Sequence, residues 1–72
     1  MSQLIMNALV KEAEAKEAKA LANLQNYMTN AAGIGEHPDV VTECMKLVKD
    51  IAEANEIKET VTKLVAESSN TK

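Results

Sequence analysis

The stretch NAAGIGEHPDVV, residues 30–41, holds both glycines, the only proline and the only histidine of a 72-residue chain. The residues on either side carry helical periodicity. The reading of this stretch therefore decides the fold: either a loop that does chemistry, or the corner at which one helix turns back on itself. Each residue has a structural task in a corner. Gly33 suits the left-handed position that closes a helix. Ile34 then falls where a Schellman-type ending sets an apolar side chain against the last turn, with Met28 as its contact. Gly35 permits a second unusual backbone angle. His37 fits an exposed capping position, and Pro38 fits the first turn of a following helix, where no N–H is needed. Asp39 and Glu43 place negative charge near that helix's positive end. GIGEHP thus reads as the turn of an αα-hairpin.

Working outward, Ser2 is a good N-cap, and the pattern predicts a helix over about 2–32. Met6, Val10, Ala13, Glu17, Ala20, Leu24, Tyr27 and Ala31 recur at alternating spacings of four and three, a heptad stripe. Beyond the turn at 33–37, a second helix is predicted over about 38–67, with a frayed polar tail at 68–72. Its stripe is Val40, Cys44, Leu47, Ile51, Ala54, Lys58, Val61 and Val65. Glu12–Lys16 and Glu59–Lys63 are i,i+4 pairs in the favourable orientation. Folding the chain about the loop pairs positions whose numbers sum to 71, which gives layers such as Leu24/Leu47, Glu17/Ala54, Ala13/Lys58 and Met6/Val65. The two polar intruders, Glu17 and Lys58, fall in adjacent layers and are expected to contact each other across the helices, a pair that fixes register.

The fold class is therefore all-α, a single antiparallel two-helix hairpin. Two helices make a thin core for so short a chain. One cysteine, Cys44, cannot form an internal disulfide, and ligands for a closed zinc site are lacking. Leu9, Leu21, Met28, Val41, Val48, Ile57 and Leu64 flank the stripes and remain partly bare in a monomer. An apolar surface of that kind marks an interface, and two hairpins packed as a four-helix bundle, a homodimer, would cover it. A larger partner protein could do the same.

Composition excludes several kinds of work. There is no Trp, Phe or arginine, one Tyr, and a net charge of −3. The lysines are spread singly among acids, which disfavours tight nucleic-acid binding. Apolar runs are too short for a membrane span, and no secretory signal is evident, so a cytoplasmic location is expected. GIGEHP lacks the lysine and hydroxyl of a phosphate loop, and no strand precedes it. His37, Asp39, Glu43 and Cys44 do not have the spacing of convergent metal ligands. Cys44 with His37 lacks a third group to orient the histidine, so no catalytic residue is assigned and the chain is read as a non-enzyme without cofactor. Cys44 reads as a small buried apolar residue, and Tyr27 as a core residue whose hydroxyl reaches solvent. Met6, Met28 and Met45 suit either an adaptable binding surface or, more commonly, core filling.

The run from Leu24 to Leu64 resembles the small helical-hairpin proteins encoded by T4-like tailed phages. In those, a first helix ending in an Asn-rich turn leads into a GIGEH-x-D-V/I-V connector and a second amphipathic helix. The similar residues are Asn30, Gly33, Ile34, Gly35, Glu36, His37, Asp39, Val40 and Val41. The run also looks like the helix–loop–helix module associated with the UvsW-type helicase of such phages. The resemblance implies a phage-encoded chain working in the host cytoplasm. Two functions stand: a small structural or interaction protein acting by self-association or by docking on a partner protein, or an accessory module in phage recombination or replication that contacts a helicase or nucleic acid. If Lys11, Lys16, Lys19, Lys46 and Lys49 converge on one face with the acids elsewhere, the second gains.

Overall fold

A serine ahead of an amphipathic run supplies what the first turn of a helix lacks, an acceptor for its unpaired N–H groups. In the computed structural model, which describes residues 2–29 and 39–70, Ser2 does this. Its Oγ accepts the Ile5 N–H at 3.3 Å and its carbonyl accepts the Met6 N–H at 3.1 Å. Helix α1 follows over Gln3–Thr29, and its last residue turns its hydroxyl back to donate to the Gln25 carbonyl at 2.9 Å. Helix α2 spans Val40–Asn70, opened by Asp39, whose carbonyl accepts the Glu43 N–H at 3.1 Å. The expected turn residues Gly33, Ile34, Gly35, His37 and Pro38, the Ile34–Met28 contact and the Ala31/Val40 layer lie outside the described residues.

α2 continues through Asn70, past the end expected near Glu67 and into the stretch read as a frayed tail. No glycine or proline follows Glu67 to stop it. Extending a formed helix adds one hydrogen bond per residue fixed, which weakly helical Ser and Asn do not forbid.

The two helices pack along their length in a rod of 58 × 17 × 13 Å, wide enough for two helices and no further layer. Among the described residues the buried ones are Met6, Ala13, Ala20, Ala54 and Val61, and the half-buried ones are the other stripe positions together with Ile57 on the flank. Burial thus follows the alternating four–three spacing on both helices, while the outer faces are exposed. Three contacts spread along the rod show the antiparallel register. One furrow is lined by Met6, Val10, Val61 and Val65, another by Ala20, Leu47 and Asp50, and between them Lys58 reaches Glu17. All accord with numbers that sum to about 71.

Alanine at Ala13, Ala20 and Ala54 keeps the seam slim and lets the backbones approach. The same choice limits the core, because alanine contributes little apolar area. No side chain larger than alanine is completely shielded among the described residues.

Candidate functional site

Two features stand out from this plain frame: a charged pair inside the seam, and apolar side chains outside it. Glu17 and Lys58 each occupy a stripe position where an apolar residue would be usual. The structure brings them together: the Lys58 Nζ donates to Glu17 Oε1 at 2.7 Å, with the side chains 29 and 22% exposed respectively. Room for this comes from their neighbours. Ala54 stands in the layer of Glu17 and Ala13 in the layer of Lys58, and both are only 1% exposed. Each long side chain stands level with an alanine and reaches diagonally to the other. The ammonium and carboxylate emerge at the edge of the seam, where each remains partly hydrated. No buried polar side-chain atom lacks a partner among the described residues.

On the surface, neither Glu12–Lys16 nor Glu59–Lys63 forms an ion pair. Lys11 instead meets Glu14 at 4.0 Å, with both side chains well exposed. Pairs of this kind are worth only a few tenths of a kcal/mol, so side-chain entropy decides among them.

The seven residues expected at an interface are not one surface. Leu9, Leu21, Met28, Val41, Val48 and Leu64 are exposed and Ile57 is half-buried. Leu21, Met28, Val41 and Val48 each follow directly after a stripe residue: Ala20, Tyr27, Val40 and Leu47. Leu9, Ile57 and Leu64 each precede one: Val10, Lys58 and Val65. At about 100° per residue these two sets lie on opposite flanks of the stripe. The furrows show how the flanks pair. Asn7 and Thr62, both following residues, share one furrow, and Lys16, Asn23 and Asp50, all preceding residues, share another.

One side of the hairpin therefore carries Leu21, Met28, Val41 and Val48, all in the half of the rod that holds Thr29 and Val40. We term this the connector half. The opposite side carries Leu9, Ile57 and Leu64 in the far half. Met45 belongs to the first patch: it shares a furrow with Val41 and is 53% exposed. Within that patch Met28 and Val41 are the most open, at 71 and 77%. Of Met6, Met28 and Met45, only Met6 fills the core; the other two stand on the surface.

The remaining chemistry-bearing residues are scattered. Cys44 and Tyr27 are half-buried stripe residues. Among the described residues no three of His, Cys, Asp and Glu could hold a metal ion together; His37 lies outside them. Lys16 and Lys19 share their furrow with Asp50 and Glu53, and Lys49 lines a long furrow with Glu53, Glu56 and Glu59. The described lysines do not gather on a face of their own. No described helix is long and apolar enough to cross a membrane. Comparison with family models, with characterised proteins and with solved structures returns no match, so the chain's own residues and geometry carry the functional reading.

Proposed function

We propose that this chain is a small non-catalytic interaction protein, phage-encoded, that acts by self-association or by docking on a partner protein through the apolar side of its connector half. One observation carries the reading: five large apolar side chains, Leu21, Met28, Val41, Met45 and Val48, stand exposed together on one side of a rod only two helices thick. Scattered exposed apolar residues are ordinary, but a grouped set on a chain with so little core is the mark of a surface that is covered in use. Two hairpins joined as a four-helix bundle would cover it and would double the number of packed seams.

The alternative, an accessory module of phage recombination or replication that contacts a helicase or nucleic acid, gains nothing from the lysines. They alternate with acids around the rod rather than forming the basic stripe that phosphate contact requires.

Sedimentation equilibrium of the wild-type chain and of Leu21→Asp tests the reading. Association that Leu21→Asp abolishes is the expected result, because a carboxylate would be driven into an apolar contact without a partner. Association that Leu21→Asp leaves intact would refute it.

A further inference from the structure

We propose that the occupant of the connector-half apolar side is a second copy of this chain, packed with the two-fold axis along the rod so that α1 of each copy lies antiparallel on α2 of the other. This rests on the proposed interaction function and adds the partner and its orientation. Three observations lead to it.

The first is area. The chain exposes 5624 Å², where a compact protein of 7.8 kDa exposes about 4,400 Å². The excess of roughly 1,200 Å² is more than the ~800 Å² that each partner gives up in a standard stable interface.

The second is charge. The chain is net acidic, at −3, yet the positions facing this side in the connector half bear no charge. Lys46 and Lys49 border the Val41–Met45 furrow from the outer face of α2. At the facing positions themselves a second copy meets no like charge. The other apolar patch is less suited to self-contact, since Glu12 and Glu67 share its side of the rod.

The third is register. In the hairpin, residues whose numbers sum to about 71 stand at the same height. A two-fold axis along the rod preserves height, so α1 of one copy meets α2 of the other level by level. Leu21 then faces Val48, Met28 faces Val41, and Gln25 faces Met45. In the far half the same side is mostly polar, with Leu4 exposed near its end, and there Lys11 of one copy stands level with Glu59 of the other, twice over by symmetry. Both side chains are exposed, and both point away from the seam within their own hairpin. An axis across the rod would overlay only the connector halves and leave the charged halves overhanging without contact. The axis along the rod alone sets Leu21 and Met28 on the valines of the other copy and brings Lys11 level with Glu59, apolar on apolar and cation on anion at those levels.

Charge reversal tests this orientation. Lys11→Glu and Glu59→Lys each turn two attractive contacts of the dimer into repulsive ones, and each should raise the dimer dissociation constant about tenfold at low salt. The double reversal should restore it to within about threefold of wild type. Lys19→Glu, which changes the net charge as Lys11→Glu does but lies on the opposite side, should leave it unchanged. Sedimentation equilibrium at several concentrations reads all four. A dimer that Leu21→Asp dissociates but that the double reversal does not restore overturns the orientation and leaves the docking surface standing. A wild-type chain that is folded and monomeric at about 100 μM, far above the dissociation constants of stable dimers, overturns the second copy as partner. A dimer indifferent to Leu21→Asp overturns both.

Discussion

Removing the charge of Glu17 and Lys58 without changing their shape separates register from packing. Glu17→Gln and Lys58→Met are close in volume to the residues they replace, so the alanines beside them need not move. The pair is short, at 2.7 Å, and each side chain is about three-quarters covered, with 22 and 29% of its surface exposed. That sets it between an exposed pair, worth 0.2–1 kcal/mol, and a buried one, whose disruption costs 3–5 kcal/mol. Either single change should cost about 1 kcal/mol. The surviving charge cannot recover full hydration while its stem lies in the seam, though its exposed tip limits the penalty. The double change should lie near wild type, giving a coupling of about 2 kcal/mol. For a domain of this size 1 kcal/mol moves the melting midpoint by about 4–8 °C. Thermal melts followed by circular dichroism therefore resolve it, provided all variants are compared at one chain concentration. Half or more of the coupling should survive in ~1 M NaCl, because the pair is partly shielded from counterions. Replacing both residues by Leu should stabilise by about 1–2 kcal/mol, since an apolar pair fills the same space without desolvating charge. Cooperative melts with a coupling below about 0.3 kcal/mol, the limit of additivity for independent sites, would mean that the contact is not made. The layer register built on it would then fall.

Ala13→Leu or Ala54→Leu should cost about 1–3 kcal/mol, because each alanine is 1% exposed and a larger side chain must push the helices apart; a melt unchanged by either would show that the seam has slack to take the added methyl groups. Ser2→Ala should cost about 0.5–1 kcal/mol through loss of the oxygen that accepts the Ile5 N–H, and amide exchange should rise in the first turn of α1 while staying unchanged in α2. The half-buried Cys44 thiol should react with a disulfide reagent more slowly in buffer than in denaturing urea; equal rates would contradict its place in the seam.

The stripe is legible in the sequence because heptad spacing is a direct projection of helix geometry. Met6, Ala13, Ala20, Ala54 and Val61 stand out as buried, and even the polar interruptions at Glu17 and Lys58 mark positions on the same line. Less legible is the outer surface. Leu9 and Leu21 both flank the stripe, and nothing in the spacing alone joins or separates them. Their sides diverge only once it is asked whether each precedes or follows a stripe residue, and once the antiparallel pairing is fixed. Met45 reads from sequence chiefly as core because methionine most often fills gaps; it directly follows the stripe residue Cys44, and that one-residue step turns it outward, 53% exposed. The surface ion pairs also escape prediction, for pairs worth a few tenths of a kcal/mol are chosen by rotamer entropy rather than by sequence spacing.

The antiparallel arrangement also fixes how the hairpin answers to force. Gln3 and the last turn of α2 lie at the same end of the rod, so a pull applied there does not shear the helices past one another. It opens the seam one layer at a time, beginning with Met6 against Val65 and then Val10 against Val61. Resistance at any instant is that of a single layer, and it rises at the fully covered Ala13 and Ala54 and at the Glu17–Lys58 contact. Loaded in this way the hairpin would peel at low force and pause at its middle, whereas a pull along the rod on opposite ends of the two helices would have to break every layer at once.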